Sequence, residues 1–186
     1  MINNKLNLTD NTRDILDIRS ERLFREAEDD VFFFYDFDSA LEKLNLAIEY
    51  TPAFTKALLL KADILVIKGE FDLALNIYHF VLEFGLKNAK VYASIANCYE
   101  LLQDYEKALI FIEKSFAQEV KPFGELYKFL YDLKVSILVR TRKYYQARLE
   151  IDKSRYNLFF KDYLELKQSK KIFSKHKRNR IKLIKT

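Results

Sequence analysis

The chain has 186 residues, of which 49% are hydrophobic and 15% aromatic, with only three Gly and two Pro. That composition excludes a largely disordered chain, and the shortage of turn residues argues against a strand-rich fold and for helices joined by short turns. The net charge of +5 is unevenly spread: nine of the 32 cations lie in residues 167–186, which hold no carboxylate, so residues 1–166 carry 23 cations against 27 acids.

Cys98 is the single cysteine, which excludes an intramolecular disulfide framework and a cysteine-built zinc site. The N-terminal residues lack the continuous apolar core of a secretory signal, and no apolar run is long enough to span a bilayer. The expectation is a cytoplasmic protein.

Residues 1–12 are polar and read as a lead-in, with 1–20 comprising this segment and the start of the first helix. From Thr12 the residues Ile15, Ile18 or Arg19, Leu23 and Ala27 recur at steps of three and four, which predicts a helix to about Phe33. The acid pair Asp29-Asp30 in it reads as part of a solvated face. Phe32-Phe33-Phe34-Tyr35 follows, and one helix face cannot bury four adjacent rings. Either they wrap the helix end beneath the next turn, or one or two of them line a binding surface. Asp36 and Asp38 suit the start of a helix over Phe37–Tyr50, which Thr51-Pro52 stops because the residue before proline resists the α region.

Helices are then predicted near Lys56–Lys68 and Phe71–Phe84, with Gly69 and Gly85 at their exits, where a positive φ carries no Cβ penalty. The next pair repeats this pattern, with Gln103-Asp104 at the turn. Further helices are predicted near Leu126–Arg140 and Lys143–Arg155. A last one, over about 159–175, sets Phe159, Tyr163, Leu166 and Phe173 on one side, as an end cap requires, and a basic tail follows at 176–186.

These helices come from one repeated unit. Phe37-x-x-Ala40-Leu41, Phe71-x-x-Ala74-Leu75 and Tyr105-x-x-Ala108-Leu109 are spaced 34 residues apart, and Tyr144-x-x-Ala147 follows 39 after Tyr105. A fixed period near 34 signals a helix-turn-helix array. The units fall at 21–54, 55–88, 89–122 and 128–161, giving a repeat region over 21–161.

At these residues the chain resembles the tetratricopeptide repeat (TPR) family. The family pattern is met by Leu58, Lys61, Ala62, Leu65, Phe71, Ala74, Tyr78 and Leu86 in the second unit. The third holds Tyr92, Ile95, Ala96, Tyr99, Tyr105, Ala108, Ile112 and Val120 in the same places. The first unit keeps Phe24, Phe37, Ala40, Leu44, Ala47 and Pro52 but has Glu28 where the small residue belongs. The fourth keeps Tyr131, Leu138, Tyr144, Ala147 and Ile151, with Val135 at the small place and Arg155 at a usually apolar one. The resemblance implies an all-α, right-handed α-solenoid of about four repeats with a C-terminal capping helix. It also implies a non-catalytic protein-protein interaction module, an adaptor, assembly factor or chaperone-like holder.

No catalytic, cofactor-binding or metal-ligating constellation is legible. His79 and His176 are nearly a hundred residues apart, and no Gly-rich phosphate loop or nucleophile elbow occurs. Cys98 reads as a small packing residue. No enzyme, cofactor or small-molecule substrate is expected.

In the family the concave surface is lined by the first helix of each hairpin. The resemblance carries that surface onto Arg22, Arg25, Asp29, Phe32 and Phe33, then Lys56, Leu59, Asp63, Val66 and Ile67. The third unit gives Lys90, Ala93, Asn97, Glu100 and Leu101, and the fourth Phe129, Asp132, Ser136, Val139 and Arg140. Arg22, Lys56 and Lys90 would form a cation ladder, Asp29, Asp63 and Asn97 a polar one, and Phe33, Ile67 and Leu101 an apolar one. A protein or peptide segment with apolar anchors and matching charges fits this mixture. The clamp with which some members hold a peptide's terminal carboxylate is not expected, because aspartates stand at 29 and 63.

The basic tail, with Lys170, Lys171, Lys175, Lys177, Arg178, Arg180 and Lys182 among its cations, offers an alternative. It suits nucleic acid, an anionic surface or an acidic protein. A small secretion-type chaperone is a further possibility.

Overall fold

The computed structural model describes residues 10–118, 120 and 124–154. The expected capping helix and basic tail lie outside the described residues, as do residues 155–161 of the fourth unit. Helices α1 (Asp10–Asp29), α2 (Phe37–Tyr50), α3 (Thr55–Ile67) and α4 (Phe71–Glu83) form two hairpins. Helices α5 (Ala89–Leu101), α6 (Tyr105–Phe116), α7 (Glu125–Arg140) and α8 (Tyr144–Ser154) form two more. The secondary structure is entirely helical among the described residues. The chain divides into two compact units between Lys87 and Asn88, with two hairpins in each.

The helix starts are set by short polar side chains. The carboxylates of Asp36 and Asp104 and the side-chain oxygen of Asn88 accept the backbone N–H of Ser39, Lys107 and Val91 at 3.0, 3.2 and 3.0 Å. The turns inside the hairpins share one device, a residue in the left-handed region: Tyr35 (φ 55°), Gly69 (80°), Gln103 (62°) and Arg142 (62°). In the last three, the following N–H returns to the carbonyl five residues back. Glu70 donates to Leu65 at 2.8 Å, Asp104 to Tyr99 at 2.9 Å and Lys143 to Leu138 at 2.8 Å. A Cβ on Gly69 would meet nothing within 4 Å, so only its dihedral resists substitution. Gly69→Ala is expected to cost about 1 kcal/mol in urea unfolding. Gln103→Gly, which relieves strain but adds unfolded-chain entropy, should move stability by less than about 0.5 kcal/mol.

In the first unit the core joins Phe24 and Ala27 of α1, Ala40, Leu44 and Ala47 of α2, and Ala57 and Ile64 of α3. In the second, Ala93, Ala96, Ala108, Ile112, Leu130, Leu133 and Ile137 form one cluster, and Val135, Leu138, Ala147 and Ile151 another. The alanines of the repeated strings are buried without exception, since a longer side chain would hold the paired helices apart.

The first hairpin departs from its fellows. After α1 the backbone widens into a π-helical turn, Asp30–Phe34. The N–H of Asp36 reaches six residues back to the carbonyl of Asp30 at 3.0 Å, and the N–H of Tyr35 bonds the same oxygen. One extra residue has thus been taken into the helix. Tyr35 stands 34 residues before Gly69, yet the buried small residue of α1 is Ala27, 35 before Ala62. Glu28 is therefore no defect in the repeat, because the insertion moves Ala27 into the close-packed place.

Candidate functional site

The expected surface begins with what the π-turn does to its register. With Ala27 and Ala62 matched at an offset of 35, Glu21, not Arg22, is the residue that faces Lys56. These two pair, Lys56 Nζ to Glu21 Oε1 at 3.2 Å, while Arg22 pairs along its own helix with Glu26 at 3.6 Å. The first unit thus carries an inter-helix ion pair where two stacked cations were expected, and the chain supplies the carboxylates itself. In the second unit Glu100 of α5 and Arg140 of α7 make the same kind of link, at 3.3 Å.

The other expected residues divide by environment. Arg25 and Asp29 are exposed on α1, and Leu59 is half-buried on α3. Asp63 is half-buried and accepts a hydrogen bond from the Tyr78 hydroxyl of α4, so it fastens its own hairpin. Lys90 is exposed and Asn97 half-buried on α5. Among the apolar residues, Ile67 is 62% exposed and Leu101 43%. Each sits at the last turn of its helix, where core packing does not account for it. Phe129 of α7 is also exposed.

The four-ring run resolves against the wrapping arrangement. Phe32, Phe33, Phe34 and Tyr35 all face solvent, and Val31 just before them packs on the core instead. Asp30 corrects the expectation of a solvated acid pair. Asp29 is exposed, but Asp30 is buried, accepting from Ser39 Oγ at 2.7 Å and pairing with the Lys43 ammonium at 2.5 Å. The bond from Lys43, then that from Ser39, holds its carboxyl below the ordinary value, and Asp30 in turn raises Lys43. Sequence reading missed this anchor. The signal was there in Ser39 and Lys43, four apart on one helix face, but only the tertiary pairing aims them at Asp30.

In the second unit Phe116, Tyr127 and Tyr131 cluster with ring centroids 4.7–6.0 Å apart. Burial, then the neighbouring Tyr127, pushes the Tyr131 hydroxyl well above its ordinary value, so it stays protonated. Cys98 is buried, as a packing residue would be. No helix among the described residues is long and apolar enough to cross a membrane.

No family model matches the chain, and no curated protein sequence matches it. Solved structures do. MamA (residues 41 to the end) from Desulfovibrio magneticus RS-1 superposes with a TM-score of 0.65 at 18% identity, over 73% of each chain. A tetratricopeptide repeat protein from Parabacteroides merdae ATCC 43184 gives 0.62 at 25% identity, over 73% of this chain and about half, 52%, of that one. YrrB, described as a TPR protein with an unusual peptide-binding site, gives 0.57 at 14% identity, over 70% and 64%. The period, the buried alanines, the αL turns and these superpositions agree: the described residues of this chain are an all-α array of tetratricopeptide-type repeats.

Proposed function

We propose that the chain is a non-catalytic protein-binding module, each unit of which offers a peptide or protein segment an exposed apolar side chain at the end of a hairpin's first helix. The observation that carries this reading is the pair Ile67 and Leu101, equivalent residues 34 apart, both large, apolar and exposed. Side chains at the neighbouring core positions of the same helices, Leu65 and Tyr99, are buried or half-buried. A repeated apolar position left in water supplies anchors for a partner, and the charges beside it set register. The ion pairs Lys56–Glu21 and Arg140–Glu100 link these first helices, one in each unit. YrrB, with its peptide-binding site, lends the reading support at the level of fold.

Changing Ile67 or Leu101 to Glu tests it. Capture of partners by the full chain, read by mass spectrometry, should fall by about tenfold or more for each, with helicity and the unfolding midpoint unchanged. Undiminished capture by both variants would refute the assignment.

A further inference from the structure

The turn between α1 and α2 presents four rings to solvent on a backbone tied down at several points. Phe32, Phe33, Phe34 and Tyr35 are 63%, 73%, 72% and 75% exposed. Turn geometry does not call for them. The equivalent turns carry Lys68-Gly69-Glu70, Leu102-Gln103-Asp104 and Thr141-Arg142-Lys143. Here a tyrosine occupies the left-handed region at φ 55°, which is uncommon for a bulky residue. Nor is the segment loose: the Asp30 carbonyl accepts two N–H groups, and its carboxylate is gripped by Ser39 and Lys43 from α2. A buried polar anchor, a π-turn and a strained tyrosine together hold hydrophobic rings outward, an arrangement that costs stability and gives the isolated unit nothing.

The charge around the rings says what would cover them. Residues 26–38 hold Glu26, Glu28, Asp29, Asp30, Asp36 and Asp38 and no Lys or Arg. Three of these acids are matched from elsewhere in the unit, by Arg22, Lys43 and Lys68. Asp29 and Asp36, which flank the rings, are exposed. An anionic membrane or a nucleic acid would be repelled by this set. A neutral apolar partner would bury the rings but strip water from carboxylates it could not match. A guanidinium or ammonium meets both needs, lying on a ring face while pairing with an acid.

We propose that this turn is a second docking surface, whose partner is a polypeptide segment with Arg or Lys interleaved with apolar residues. It adjoins Ile67 in the same unit, since Lys68 at the exit of α3 pairs with Asp38 at the start of α2, but the Phe34 and Tyr35 variants test it separately from the Ile67 variant. The rings supply the affinity and the carboxylates select the sign of the partner.

The probe is a fluorescein-labelled synthetic peptide with the sequence of residues 167–186, which has nine cations, no carboxylate and five large apolar residues. Its anisotropy is titrated with the full-length chain. A second full-length protein, with Lys175, Lys177, Arg178 and Arg180 changed to Ser, removes competition from the chain's own copy of that sequence. Binding is expected, strongest to the second protein, and weakened several-fold between about 50 and about 300 mM salt. Phe34→Ser and Tyr35→Asn, the latter compatible with a left-handed φ, should each weaken it about tenfold. Ile110→Ser, which removes an exposed apolar side chain on α6, should leave it unchanged. Equal binding by wild type, Phe34→Ser and Tyr35→Asn would overturn the proposal, as would no binding by the protein with its own cations removed. So would anionic vesicles or dimerisation of the chain, in place of the peptide, showing the dependence on Phe34 and Tyr35.

Discussion

Ala27→Glu is expected to destabilise the first unit by about 3 kcal/mol or more, whereas Glu28→Ala, one residue along, should stay within about 0.5 kcal/mol. The repeat period taken at face value says otherwise, because it puts the small residue at 28 and leaves 27 free. The π-turn at Asp30–Phe34 reverses the two. Ala27 is fully buried where α1 meets α2 and α3, so a glutamate there must be both forced into a filled space and stripped of water. Glu28 is only half-buried. Urea unfolding followed by circular dichroism reads both variants, and the low-urea limb should move for Ala27→Glu alone. Equal midpoints for the two variants would mean that α1 keeps the 34-residue register and has no inserted residue.

Lys43→Met should cost about 2 kcal/mol near neutral pH, because it leaves the Asp30 carboxylate buried with Ser39 but without its counter-charge. The pair is not wholly dry, since the Lys43 side chain remains 28% accessible, and that keeps the expected loss below the value for a sealed ion pair. The pH dependence has a definite sign. Asp30 is depressed in the folded chain, so its contribution is fully present above the ordinary value of 3.8 and is lost as pH falls through the lower folded value. Lys43 is raised, so its contribution is present below 10.5 and is lost as pH climbs through the higher folded value. The gap between wild type and Lys43→Met should therefore be constant across the neutral range and close below about pH 4. A gap that persists unchanged into acid would show that the methionine acts through packing and not through charge. Lys68→Met makes a useful comparison: its partner Asp38 is largely exposed, and no measurable change in midpoint is expected.

The two variants probe one piece of architecture from opposite sides. Asp30 ties the turn with its carboxylate and its carbonyl at once, and Ala27 registers the helix that leads into it. If Lys43→Met loosens the turn, the rings at 32–35 lose their fixed display, so peptide binding there should weaken along with stability.

Much was legible in one dimension. The aromatic-x-x-Ala-Leu strings fixed the hairpins because helix-on-helix contact tolerates only a small residue at the crossing, and a recurring crossing leaves a recurring alanine. Helix limits followed from Pro52, from Gly69 and Gly85, and from Asp36, all local choices of backbone geometry, while the caps Asn88 and Asp104 came from the structure. The family resemblance rested on the same residues, and the all-α helical hairpins it implied are those observed among the described residues. What stayed illegible was whatever depends on which residue faces which. A single inserted residue rotates a helix by about 100° relative to its repeat and writes no mark in the spacing of α2 onward. The roles of Ala27, Asp30 and Glu21 became plain only once α1 was laid against α2 and α3. The outward display of Phe32–Tyr35 belongs to the same class, since four adjacent rings are equally compatible in sequence with burial and exposure, and the wide turn beneath them decides the matter.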